Sequence, residues 1–114
     1  MIARLWSART NEPRSRAYLE HFSKNILPSL RGLKGYAGAI ILTRQTKGEV
    51  EILVTTLWKT LAAIREFAGE NIEVAVVADE AAAILTDFDR RARHYEVVMS
   101  DIREHAQISS STSL

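Results

Sequence analysis

Residues Glu49 to Gly69 read EVEILVTTLWKTLAAIREFAG, and this stretch decides the fold. Its first half alternates like an extended chain with two apolar faces: Val50, Ile52 and Val54 on one, Leu53 and Leu57 on the other. Its second half changes period. Thr60 is a capping residue, Leu61, Ile64, Phe67 and Ala68 form a one-sided helical stripe, and Gly69 is a natural helix stop. Trp58 stands at the corner between them.

Upstream, Gln45 to Gly48 is a polar turn, and Tyr36 to Thr43 (YAGAIILT) is a second strand, so the two runs form a hairpin. Gly38, Ile40 and Leu42 share one face of that strand; Ala37, Ala39 and Ile41 share the other. Before it, Tyr18, Leu19, Phe22, Ile26, Leu27 and Leu30 recur at helical spacing over Arg14 to about Leu30. Thr10-Asn11-Glu12-Pro13 starts that helix, and Pro28 should kink or end it. Ile2 to Arg9 alternates as a first strand, with Ile2, Arg4 and Trp6 on one face.

Downstream, Asn71 to Val77 and Asp79 to Leu85 read as one or two short helical pieces, although NIEVAVV also reads as extended. Ala92 to Met99 (ARHYEVVM) is a fourth strand. Residues 1–100 are thus expected to form one domain, with 101–114, which end in ISSSTSL, as a polar, disordered tail.

Strand, helix, strand, strand, helix, strand is the order of an α+β, ferredoxin-like split βαβ fold with a four-stranded antiparallel sheet. Two helices cover one face of such a sheet. The apolar residues of the other face call for a second copy, sheet against sheet, in a two-fold homodimer.

Bulk properties narrow the function. The 114 residues carry 15 Lys and Arg against 14 Asp and Glu, a net charge of +1, without the basic excess of a nucleic-acid binder. There is no cysteine, which excludes disulfides and thiolate metal sites. No uncharged apolar run approaches the ~18 residues of a membrane span, and no secretory leader is visible, so a cytoplasmic protein is expected. The histidines lack metal-ligand spacing, and no phosphate loop or nucleophile elbow is present. No metal and no cofactor is expected.

IARLW at the start, LWKTLAAIREFAGENIEVAVV in the middle and RHYEVV near the end resemble the antibiotic biosynthesis monooxygenase family, over roughly residues 1–99. The resemblance implies a dimeric α+β barrel and, as activity, cofactor-independent oxygenation of a small aromatic or enolic substrate. The strand-three tryptophan of those oxygenases matches Trp58; the asparagine expected before it falls at Val54, and a helix tyrosine falls near Ile64. A haem-degrading branch of the superfamily carries an axial histidine after that tryptophan, whereas Leu61 to Val77 contains none.

The site expected from the residues lies beside Trp58. Trp58 is either core packing or an aromatic wall that positions a planar ligand. His94, with Glu96 on its own face, is either an interfacial histidine or the general base. These two are the catalytic candidates; Trp6, Tyr18, His21 and Phe67 are assigned to substrate binding. Arg90, Arg91 and Arg93 form a basic cluster, read as a solvated turn or an anion contact at the pocket rim. The alternative function is a non-catalytic dimer that binds a small apolar molecule or serves a structural role; a haem-degrading oxygenase is a weaker alternative.

Overall fold

The computed structural model describes residues 1–103; the expected tail falls largely in 104–114, outside the described residues. The chain runs β1 (Ile2–Thr10), α1 (Glu12–His21), a π-helical turn (Phe22–Ile26), α2 (Leu27–Arg31), β2 (Tyr36–Thr46), β3 (Glu49–Trp58), α3 (Leu61–Ala68), α4 (Asp79–Ile84), β4 (Asp87–Phe88) and β5 (Arg93–Glu96). All strand pairs are antiparallel, in the order β2-β3-β1, with β4 and β5 both on the far side of β1. This is the ferredoxin-like α+β arrangement.

The fourth strand differs from the single run expected over Ala92 to Met99. It is two pieces, β4 against Ala8 and Arg9, and β5 against Ile2 to Leu5. Between them the chain leaves β1 and pairs instead with the segment before α4: Ala75 N–H donates to the Arg90 carbonyl and Ala92 N–H to that of Glu73. That segment is extended, with Val74 bridged to Arg91, so the extended alternative for NIEVAVV is the one adopted. β-branched and apolar side chains find an edge to pair with there, and Asn71 caps only a turn, accepting from Glu73 N–H.

The first helix does not end at Pro28. Proline has no N–H for the Lys24 carbonyl, and its ring crowds that carbonyl in a regular α-helix. The turn before it widens instead, Leu27 N–H reaching Phe22 O, and the helix continues to Arg31. The widening has a second use. Tyr18, Phe22, Ile26 and Leu30 recur every four residues, and in a regular helix each step overshoots one turn by about 40°. The π-turn absorbs part of that drift, which keeps all four on the sheet.

The core sits between the helices and one face of the sheet. Ala8, Val50, Ile52, Val54 and Trp58 rise from β1 and β3 to meet Tyr18, Phe22, Leu30, Ala63 and Ile64. In α3 the buried residues are Ala63 and Ile64, whereas Leu61, expected in the stripe, is exposed. Thr60 caps the helix as expected, accepting from Ala63 N–H at 3.1 Å. The opposite sheet face carries Leu5, Leu53, Leu57, Ile40, Leu42 and Tyr95; the last three are exposed.

Candidate functional site

A cavity of about 60 Å³ lies between the helix-facing side of the sheet and the α1–α2 helix. Trp6, Tyr18, Phe22 and Phe67 give it aromatic walls, and Ile26, Leu30, Val54 and Val76 give it aliphatic ones. Two polar side chains reach it from facing positions of the sheet, Arg4 on β1 and Thr56 on β3.

Arg4 is the unusual member. Its side chain is buried, and among the described residues no carboxylate pairs with it. Its guanidinium crosses the β5 edge and donates to neutral acceptors only: the carbonyls of Ile72 and of Val74 (3.0 Å), and His94 Nε2 (2.8 Å). It also lies 5.6 Å from the centroid of the Phe67 ring, a cation–π contact. Removal from water lowers the Arg4 pKa, yet an arginine stays charged from any such starting value.

This contact fixes the state of His94. Arginine has donors and no acceptor, so His94 Nε2 accepts, and the neutral ring carries its proton on Nδ1. Desolvation first, and then the Arg4 charge, pull the His94 pKa below its ordinary 6.5, with Glu73 opposing.

Tyr18 is buried and lines the cavity. Burial pushes its phenol up to about 12, so at neutral pH it is a proton donor and not a phenolate. Trp6 is tilted against it at 43°, with ring centroids 6.3 Å apart, and donates its indole N–H to the Asp89 carbonyl at 2.7 Å.

The other predicted residues stand back from the cavity lining. Trp58 is fully buried behind it, stacked on Phe67 at 5.4 Å and edge-on to Tyr36 at 5.7 Å, and its indole N–H is spent on Thr56 Oγ1 at 2.8 Å. His21 faces α4, its Nδ1 accepting from the Asn25 amide at 3.0 Å, and its Nε2 is buried without a partner among the described residues. Trp6, Tyr18 and Phe67 are therefore brought together; Trp58 touches the same cluster through Phe67 and Thr56; His94 reaches it only through Arg4.

Arg4 and Thr56 escaped the sequence analysis as site residues. The available signal was Arg4 itself, a charge between Ile2 and Trp6 on an apolar strand face. Alternation placed it inward, and a buried charge is costly enough to ask for a reason.

Outside β5 lies an open groove lined by Ile72, Glu73, Asp89, Ala92, His94 and the three arginines 90, 91 and 93. Arg91 pairs with Glu73 at 3.1 Å. The Arg4 guanidinium, bonded to Ile72 and His94 on one side and facing the cavity on the other, is the partition between groove and cavity.

No protein-family model matches this chain, and no curated protein matches it. Solved structures do. A candidate antibiotic biosynthesis monooxygenase from Bacillus cereus is 15% identical, with a TM-score of 0.59 over 91% of this chain and 97% of that one. The haem-degrader MhuD from Mycobacterium tuberculosis, solved with two haems bound in its active site, is 19% identical, with a TM-score of 0.56 over 89% of this chain and 99% of that one. At these identities the likeness establishes the fold, which this chain shares with both.

A haem does not fit the residues present. Among the described residues no histidine lines the cavity and α3 carries none, so a haem iron would find no imidazole ligand there.

Proposed function

We propose that this protein is a cofactor-independent monooxygenase that takes a small aromatic or enolic compound as its anion. The observation that carries this reading is Arg4, a buried cation without a carboxylate partner among the described residues, set in the wall of an aromatic cavity. A cation within about 4–6 Å of an enol or phenol lowers its pKa by about 1–3 units, and a dry site strengthens the effect. The ring would lie among Trp6, Tyr18 and Phe67, with Thr56 and the Tyr18 phenol as donors. Trp58 would position the substrate from behind, by fixing Phe67 and Thr56.

The chemistry asks little else of the chain. A C–H acid R₂CH₂ loses a proton to a base, for which His94 is the candidate. The carbanion adds O₂ to give a peroxide, which on protonation loses water to leave R₂C=O, so that R₂CH₂ and O₂ become R₂CO and H₂O. The enclosed volume of about 60 Å³ holds a pair of waters and not a ring. Entry therefore requires the segment around Val74 and Val76, both exposed and held by the Ala75 N–H on the Arg90 carbonyl, to move outward.

The working unit in this reading is a homodimer packed through the open sheet face, where Ile40, Leu42 and Tyr95 are otherwise left in water. The test is oxygen consumption across a panel of phenols, hydroquinones and enols, with chelator present and without added flavin. One O₂ consumed per substrate, at a rate well above autoxidation, is the expected result. Ligands that bind with no uptake above autoxidation would leave a second reading, a non-catalytic binding dimer of this fold. The sealed packing of Trp58 and the apolar Val54 below it favour that alternative.

A further inference from the structure

We propose that Arg4 seats an acidic group of the substrate, a carboxylate or enolate presented from the groove outside β5, and that this anion unmasks His94 as the base. The inference rests on the site reading above and adds to it a substrate class and a trigger.

The resting arrangement blocks the base. His94 Nε2 faces Arg4, a member of the cavity wall, and is occupied by an Arg4 N–H at 2.8 Å. An imidazole in that state cannot accept a proton from a substrate. The lock is built from weak acceptors, however. Arg4 donates to two carbonyls and one imidazole, all neutral. A carboxylate or enolate makes charge-assisted hydrogen bonds about twice as strong as neutral ones, and its planar pair of oxygens matches the guanidinium fork. An anion reaching Arg4 therefore outcompetes His94 for the N–H.

The approach is prepared for an anion. Within the groove Arg91 is engaged by Glu73, while among the described residues Arg90 and Arg93 have no carboxylate partner and are exposed. The charges that surround the imidazole are Arg4 from β1, Glu73 from the segment before α4, and Asp89, Arg90, Arg91 and Arg93 from the chain between β4 and β5 and the start of β5. Glu96 lies two residues further along the same face of β5. An acidic group placed among them gains from Arg90 and Arg93 on the groove side and from Arg4 behind. Its arrival replaces the neighbouring Arg4 donor by a negative charge, and both changes favour the protonated imidazole. The base is thereby released and made stronger only when an acidic substrate is present.

Benzoate and benzyl alcohol are the probes, since they share a ring and differ in the acid. His94 is followed by NMR titration of its ring in the intact protein, and its signals are identified by their loss in His94→Asn. Saturating benzoate at low salt is expected to raise the His94 pKa by about one unit and to raise Tm, with benzyl alcohol doing neither. Arg4→Met is expected to weaken benzoate at least tenfold and to remove the benzoate-dependent shift. If that variant fails to fold, the contrast of the two probes on the wild-type chain decides alone. Failure of benzoate to bind, binding that leaves the His94 titration unmoved, or equal binding by Arg4→Met would each overturn the proposal. Failure of the oxygenase reading is separate: it shows as absent oxygen uptake while the benzoate effect on His94 persists.

Discussion

Gly35→Ala tests the corner on which the fold turns. Gly35 ends the α2–β2 loop at φ +89°, and its carbonyl accepts from Lys59 N–H at 2.8 Å, tying the loop to the residue after Trp58. A Cβ at this position would stand 2.6 Å from the Ala63 Cβ. Two costs arise. An L-residue held at positive φ loses roughly 1–2 kcal/mol. A methyl forced into a packed contact costs about 1–3 kcal/mol, since the Ala63 methyl has no rotamer by which to retreat. The expected loss is therefore about 2–5 kcal/mol, a large share of the roughly 5–15 kcal/mol stability of a domain. Urea unfolding followed by tryptophan fluorescence measures it. Ala63→Gly separates the terms. Alone it costs about 0.5–1 kcal/mol of helix propensity. Combined with Gly35→Ala it removes the clash and leaves the φ strain, so the double-mutant cycle should show a favourable coupling of about 1–3 kcal/mol. Additive losses, with no coupling, would refute the claim that α3 lies against the loop at van der Waals contact.

Three further outcomes are expected. Thr60→Ala removes the side-chain cap of α3 and should cost about 1 kcal/mol by the same unfolding measurement, while Thr60→Asp should be nearly neutral. Leu42→Glu places a charge on the open sheet face; light scattering should show a dimer for the wild type and a monomer for the variant, and a wild-type monomer would sink the dimer reading. His94 supplies a pH dependence whose sign follows from its lowered pKa. The unfolded chain binds the proton at about 6.5 and the folded chain only at lower pH, so the contribution of His94 is fully present above 6.5 and is lost as pH falls below it. Stability measured between pH 7 and 5 should fall less steeply in His94→Gln than in the wild type, and equal slopes would contradict the lowered His94 pKa that its burial and the nearby Arg4 charge produce.

The alternation and helical spacing of Glu49 to Gly69, with the hairpin before it and Ile2 to Arg9 at the start, were enough to determine the α+β class, the order of strands and helices along the chain and the faces of the sheet. Periodicity of this kind is a local property, written in each residue and its near neighbours, and the side of the sheet follows from it. The Pro28 break also showed in the sequence, but its result did not, because the tertiary demand to keep Tyr18, Phe22, Ile26 and Leu30 on the sheet selects a π-turn over a helix end. The split fourth strand was hidden for a similar reason, since residues 73–75 compete with β1 for the carbonyls and N–H groups of 90–92. The site was legible only in part. Trp6, Tyr18 and Phe67 were assigned to substrate binding from the sequence and line one cavity in the fold, whereas the partners of Arg4 lie 68 to 90 residues away along the chain. That Trp58 spends its N–H on Thr56, and that Arg4 holds His94 across a strand edge, are pairings of groups distant in sequence or hidden by burial, and only the folded packing decides them.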